Sequence, residues 1–453
     1  MRLRPRYAEQ RPRYTYDLLL SIEKLVYGGD GLARTAPDSD GRSMAVFVPF
    51  VLPGEKIEAE IRRQKAGFAR GAVTEIIEAS PDRVTPGCPY FQQCGGCHYQ
   101  HIPYERQLEF KSQILRETLQ RIAKIELKSE IQVHATRPRP WNYRNRTRLQ
   151  VRTAPEFALG FFRLGSHEFL SVRECPISSA LLNRVIARLI ELRGLEWPVA
   201  VEEIELFADA EDQRLLAWAF CASDADEKDL LRWAGAIERE LPEVSGVTFF
   251  ASRRRVDEDD EPMNTKILAQ SGAKSIRYRA KNHDYQVTAG AFFQVNRYLI
   301  DELTAVVTGN AIGDLALDLY AGVGLFSVPL ASVFRHIFSV EASQISYADL
   351  RHNVPANVKV VGARTEDYLK TRSLRKRPDL VILDPPRSGI GKTVTRFLVE
   401  LQAPQVRYVS CDPSTLARDI APLLTAGYRI EETHLFDLFP ETFHIESVML
   451  LAR

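Results

Sequence analysis

The chain is expected to be an α/β protein: a doubly wound, mostly parallel sheet in residues 282–453, preceded by a small β-barrel and an α+β middle region. Three observations predict this. In the C-terminal part, apolar runs at 316–319, 336–340, 358–361, 380–383 and 406–409 alternate with helical stretches, the pattern of βαβ units. The chain then closes with two strand-like segments, 428–436 and 447–451, suited to a terminal antiparallel pair. At the other end, residues 14–78 alternate short apolar segments with Gly and Pro turns, as a five-stranded barrel does.

The 453 residues suffice for two to four domains, each with its own core. The divisions expected are a basic tail at 1–13, a barrel at 14–78, a central domain at 79–281 and the parallel-sheet domain at 282–453. Composition is globular, at 45% hydrophobic and 26% charged residues. No apolar run approaches the roughly 20 residues of a membrane span. Residues 1–17 carry five Arg and no apolar core, unlike a secretory signal. A cytoplasmic monomer with no membrane partner is therefore expected.

Barrel strands are read at 21–25, 43–49, 56–62 and 71–77, with turns at Tyr27-Gly28-Gly29-Asp30-Gly31 and Leu52-Pro53-Gly54-Glu55. Such barrels bind oligonucleotides or pack against a neighbour. A turn-rich insert at 81–101 follows. Apolar residues at 108, 110, 114, 115, 119 and 122 then predict a helix over 104–123, which is expected to pack on the parallel-sheet domain. The middle region mixes strands (143–151, 157–162, 201–207, 215–220) with helices (179–192, 226–240).

Net charge is only +1, so a nucleic-acid partner is not forced by overall charge. Residues 133–152 are locally different, with six Arg (137, 139, 144, 146, 148, 152), no acid, and Trp141 and Tyr143 among them. Guanidinium groups interleaved with aromatic faces suit single-stranded nucleic acid; a solvated basic strand is the other reading.

In open parallel sheets, ligands bind beyond the carboxyl ends of the strands. Four features fall there. Tyr320-Ala321-Gly322-Val323-Gly324 ends the first strand, where glycine lets backbone approach a ligand. Glu341 ends the second strand, 19 residues after Gly322, placed either to accept ribose hydroxyls or to cap a helix. Asp384 opens an Asp384-Pro385-Pro386-Arg387 turn after the fourth strand. Gln294, just before the first strand, is placed for the methionine part of a cofactor. The phosphate-binding pattern G-x-x-x-x-G-K-S/T is absent. The short glycine pattern and acids on successive strands favour S-adenosylmethionine over a dinucleotide.

Cys411 lies 27 residues after Asp384 and 35 before Glu446. A thiol and two carboxylates in this order are the parts needed to methylate a pyrimidine ring carbon. Uracil C5 becomes nucleophilic when a thiolate adds to C6, and a base must later remove the C5 proton. Cys411 is the expected nucleophile and Glu446 the expected base. A cation or the start of a helix at 415–424 is expected to help ionise the thiol. Cys221, within an apolar strand, is expected only to pack. Reaching a base in folded RNA requires flipping it out.

Cys88, Cys94 and Cys97 lie within ten residues, with Gly95 and Gly96 between the last two, and Cys175 precedes Pro176. Four thiolates suit zinc or a [4Fe–4S] cluster. A single C-x-x-C and a remote Cys-Pro lean towards iron–sulfur, with a structural role or one in shaping an RNA surface.

Together these residues resemble the RNA uracil-C5 methyltransferases, in particular the iron–sulfur members acting on 23S ribosomal RNA. The resemblance runs nearly end to end. It rests on Gly28-Gly29-Asp30-Gly31, Cys88-Pro89-Tyr90-Phe91, Cys94-Gly95-Gly96-Cys97, Phe293-Gln294-Val295-Asn296, Asp384-Pro385-Pro386-Arg387, the stretch from Ser410 to Asp419, and Phe439-Pro440 through Glu446. It implies an N-terminal OB-like TRAM barrel and a class I (Rossmann-like) methyltransferase domain. It also implies S-adenosylmethionine held by Gln294, Tyr320, Glu341 and Asp384, a cluster on Cys88, Cys94, Cys97 and Cys175, Cys411 as nucleophile and Glu446 as base. Transfer RNA members share this chemistry. Other readings are a transferase acting on exocyclic amines and a noncatalytic RNA-binding protein on the same scaffold. Two positions depart from the family pattern: Leu325 offers no side-chain amide where Asn is usual, and Asp412 stands where Asn is common.

Overall fold

The computed structural model describes residues 16–137, 140–192, 197, 201–252, 266–371 and 376–453. The basic tail expected at 1–13 and Arg139 of the Arg-rich segment lie outside them. The chain divides into two compact units, one of residues up to 114 with 441–444, the other of residues 115–440 with 445–453.

In the first unit, β1 (Asp17–Leu25), β2 (Asp30–Arg34), β3 (Ala45–Pro49), β4 (Lys56–Lys65) and β5 (Phe68–Glu78) close into a barrel in the order β1-β2-β3-β5-β4. Alternate residues fill it, among them Leu20, Ile22, Val46, Val48, Ile57 and Ile61. This is the period of two expected of strands with one wet face. β2 was hidden in the sequence because it begins inside the glycine turn. Gly31 is required there, since a Cβ would fall 2.4 Å from Val51 Cγ2. The helix α1 (Tyr104–Ala123) occupies the span read from its apolar spacing.

The second unit opens with β6 (Gln132–His134), β7 (Arg146–Arg152), β8 (Ala158–Phe162), β9 (Phe169–Ser171) and α2 (Ala180–Glu191). It continues through β10 (Val201–Ala208), β11 (Leu215–Cys221), α3 (Glu227–Glu240), β12 (Val244–Ala251) and β13 (Ile267–Gly272). Strands β13-β12-β11-β10-β7-β8-β9 form a seven-stranded sheet in that order. Both helices begin where a side chain caps them: the Ser179 hydroxyl accepts the Leu182 N–H, and the Asp226 carboxylate those of Lys228 and Asp229.

A hairpin of β14 (Ser275–Ala280) and β15 (His283–Thr288) precedes α4 (Ile300–Thr308). The chain then alternates strand and helix through β16 (Gly313–Leu319), α5 (Ser327–Leu330), β17 (Phe334–Glu341), α6 (Gln344–Asn353), β18 (Val358–Gly362) and α7 (Thr365–Lys370). It ends with β19 (Leu380–Leu383), α8 (Gly391–Leu401), β20 (Gln405–Ser410), α9 (Pro413–Thr425), β21 (Arg429–Phe436) and β22 (Glu446–Ala452). The sheet order is β18-β17-β16-β19-β20-β22-β21-β6. Its first five strands are parallel and β22 enters antiparallel to both neighbours. Buried on both faces, Leu380-Val381-Ile382-Leu383 reads as a continuous apolar run, as a central parallel strand must. The expected terminal antiparallel pair is present. β6, drawn from far upstream, pairs parallel with β21 at the sheet edge; three residues carry too little periodicity to be read in advance.

Among the described residues, no helix is long and apolar enough to cross a membrane.

Candidate active site

The register of the eight-stranded sheet aligns the predicted site residues. Leu319 of β16 is level with Val340 of β17 and Leu383 of β19. The residues that follow, Tyr320, Glu341 and Asp384, therefore leave the sheet side by side. Across the antiparallel junction, Ser410 pairs with Ser447, and the Ser447 hydroxyl donates to the Ser410 carbonyl at 3.3 Å. One step further, Cys411 and Glu446 emerge on neighbouring strands. A parallel strand and an antiparallel one meet here, so the C-terminal end of β20 faces the N-terminal end of β22.

The glycine turn after β16 has the conformation the sequence called for. Tyr320, Gly322 and Gly324 have φ of 64°, 55° and 96°. Tyr320 pays about 1–3 kcal/mol for left-handed backbone, a strain typical of functional turns. Within 4 Å of a Cβ built on Gly322 there is nothing, so the turn leaves open space above it. Glu341 ties this turn to its own strand: Gly322 N–H donates to one carboxylate oxygen at 2.8 Å and Ser343 N–H to the other at 2.6 Å. Glu341 thus orients the backbone of the glycine turn and of its own strand end. Gln294 is nearly buried, and its amide donates to Asp384 at 3.2 Å. Leu325 packs into the core, and only its carbonyl is engaged, by the Tyr285 hydroxyl at 3.1 Å. These donors and acceptors, open space and twin acids fit S-adenosylmethionine.

The electrostatics around Cys411 differ from expectation. Burial pushes its thiol well up, and the carboxylates of Glu446, Asp384 and Asp412 add to this, while the Arg387 guanidinium opposes them. Glu446, 5% exposed, is itself raised well above the carboxylate range by burial and by Asp384, again opposed by Arg387. Both groups are thus biased towards their neutral forms, and each charge disfavours the other. The start of α9, expected to help ionise the thiol, is capped by Asp412. Its carboxylate accepts the Ser414 and Thr415 N–H groups, both at 2.8 Å, and neutralises the positive helix end. The cation that serves the thiol is Arg387, which sequence reading quoted within its motif but assigned no role. Phe292, two residues before Gln294, is 49% exposed.

The Arg-rich segment is used partly inside the fold. Arg146 and Arg148 pair with Glu205 at 2.8 and 2.7 Å, and Trp218 Nε1 donates to the same carboxylate at 3.1 Å. Arg146 also lies over Trp218 and Arg148 over Phe220. Tyr143 is buried, its hydroxyl donating to the Pro440 carbonyl at 3.2 Å. Two of the six arginines are therefore held by one buried carboxylate, Arg146 largely inside the fold and Arg148 still 53% exposed.

Cys88, Cys94 and Cys97 fall in the first unit and Cys175 in the second. An all-thiol donor set suits a cluster, and the Gly96 N–H donates to Cys94 Sγ at 3.4 Å. Yet among the described residues no three or more His, Cys, Asp or Glu side chains are arranged to hold a metal ion. Cys221 is buried, and burial together with Glu202 pushes its thiol up to about 12, as fits a packing residue.

Sheet order and site together define a class I methyltransferase domain. The model of the tRNA (Uracil-5-)-methyltransferase family matches residues 263–453. The chain is 33% identical to the 23S rRNA (uracil(1939)-C(5))-methyltransferase of Halomonas elongata, over 96% of this chain and 89% of the relative. It is 32% identical to an uncharacterized RNA methyltransferase of Aquifex aeolicus, over 96% and 98%. A crystal structure of the Pyrococcus abyssi tRNA (uracil-54, C5)-methyltransferase with S-adenosyl-L-homocysteine superposes with a TM-score of 0.73 at 25% identity, covering 96% of this chain and all of that one. The chain belongs to the RNA uracil-C5 methyltransferases.

Proposed function

We propose that this enzyme methylates C5 of a uridine in 23S ribosomal RNA through a covalent bond between Cys411 and uracil C6. The observation that carries this is the register: it sets Cys411 beside Glu446, next to the Gln294–Asp384 edge of the sheet. S-adenosylmethionine, when bound at Gln294, Tyr320, Gly322, Glu341 and Asp384, supplies an electrophilic methyl group. Arg387 favours the Cys411 thiolate against three carboxylates. The thiolate adds to C6, which makes C5 a nucleophile towards that methyl group. The ionised form of Glu446 takes the C5 proton, the C5–H electron pair restores the C5–C6 double bond, and the Sγ–C6 bond breaks to release Cys411 as thiolate.

The 23S assignment is supported by relatives from Halomonas elongata and Chromohalobacter salexigens, 33% and 34% identical and named for that substrate. A transfer RNA substrate is the second reading, favoured by the Pyrococcus abyssi superposition. Cys88, Cys94, Cys97 and Cys175 are read, from their pattern alone, as holding a [4Fe–4S] cluster rather than zinc.

Cys411→Ala is expected to abolish turnover, and Glu446→Gln to accumulate a protein–RNA adduct stable on denaturing gels. Turnover by Cys411→Ala would favour amine methylation, and absence of cofactor binding would favour a noncatalytic protein. Mass-spectrometric mapping of 5-methyluridine in ribosomal and transfer RNA, with and without the gene, identifies the substrate; loss from transfer RNA alone would overturn the 23S assignment.

A further inference from the structure

Asp419, on α9 and 2% exposed, has no part in the chemistry above. One of its oxygens accepts the Tyr408 hydroxyl at 2.9 Å and the Ile390 N–H at 2.8 Å. Arg418 pairs with the carboxylate at 2.8 Å and donates on to the Ser388 carbonyl, also at 2.8 Å. Between these two anchors sits Gly389, with φ of 74°, where a Cβ would lie 2.3 Å from the Asp419 carboxylate. Three consecutive residues after Arg387 are thereby fastened. The fastening runs to the strand that precedes Cys411, through Tyr408, and to the helix that follows it. A carboxylate is needed because it must accept from a hydroxyl, an amide and a guanidinium at once.

We propose that Asp419 is a positioning residue: it locks the loop after Asp384-Pro385-Pro386-Arg387 onto α9 and so holds Arg387 against the Cys411 thiol. This rests on Cys411 being the nucleophile. The groups facing that thiol are Glu446 from β22, Asp384 and Arg387 from the loop after β19, and Asp412 from its own turn. Arg387 is the single cation among them. If the loop is released, the thiol keeps its three carboxylates and loses its counterweight.

The test follows the pH dependence of iodoacetamide alkylation at Cys411, resolved from the other cysteines by peptide mass spectrometry, together with kcat, KM and melting temperature. Asp419→Asn is expected to move alkylation of Cys411 to higher pH and to lower kcat by about tenfold to a hundredfold, as misplaced catalytic groups do. KM for S-adenosylmethionine should be unchanged. Loss of the Asp419 charge alone would shift alkylation the opposite way, so the sign separates positioning from direct electrostatics. Gly389→Ala keeps the charge and should give the same upward shift, with the double variant no worse than the poorer single one, since both act through one path. An alkylation profile unmoved in both variants, with only the melting temperature lowered, would overturn the proposal. Turnover by Cys411→Ala would instead overturn the nucleophile assignment beneath it, whatever Asp419 does.

Discussion

Glu205 and Asp318, two buried carboxylates in one unit, respond to pH with opposite signs. Burial alone would raise Glu205, but Arg146 and Arg148 overcome it and hold the acid below its usual range. Its stabilisation is present above the unfolded value and is lost as pH falls through the folded one. Glu205→Gln leaves the nearly buried Arg146 guanidinium without its carboxylate and should cost about 3–5 kcal/mol in urea denaturation at neutral pH. Asp318 is buried, and desolvation pushes it up to about 7 against the Ser327 hydroxyl and backbone N–H that partly offset it. Its contribution is present below about 3.8 and is lost as pH rises towards 7. Asp318→Asn should therefore gain stability on the wild type between pH 4 and 7, read from urea midpoints across that range. A pH-independent difference would show that the acid does not titrate there.

At the scale of elements, the start of α9 explains a residue that departs from the family pattern. Asp412 is its N-cap, so Asp412→Ala should lose about 0.5–2 kcal/mol of stability. Asp412→Asn should keep most of the cap. Because the Asp412 charge opposes the thiolate, Asn should also shift Cys411 alkylation to lower pH. Long elements with clear periods were legible in advance: α1, the parallel strands and the capped helices α2 and α3 differ from their readings by at most a few residues. β2 and β6 were not legible, one because it starts in a turn, the other because it is three residues of edge strand held by pairing alone.

For the whole molecule, net charge of +1 means that attraction for RNA is local rather than global. Arg146 is committed to Glu205 and only 11% exposed, whereas Arg148, paired with the same carboxylate, remains 53% exposed. The cysteine pattern makes a separate prediction for the intact chain. Purified without oxygen, it should be brown and contain iron and acid-labile sulfide, and Cys97→Ser should lose both. Stoichiometric zinc in the wild type would remove the iron–sulfur reading while leaving the methylation chemistry in place.

Residue order by itself determined the parallel sheet, the barrel, and the chemical identity of Cys411, Glu446, Asp384 and Gln294, because strand periodicity and reactive side chains are local properties. Only the tertiary structure decided what those groups experience. What favours the Cys411 thiol over its thiolate is burial first, then three acidic groups against one guanidinium, gathered from separate segments of chain. Whether an arginine meets RNA or a buried glutamate depends on which strand lies beside it. Electrostatic energy in a dry interior is set by distance and burial, and neither is written in the spacing of residues along a chain.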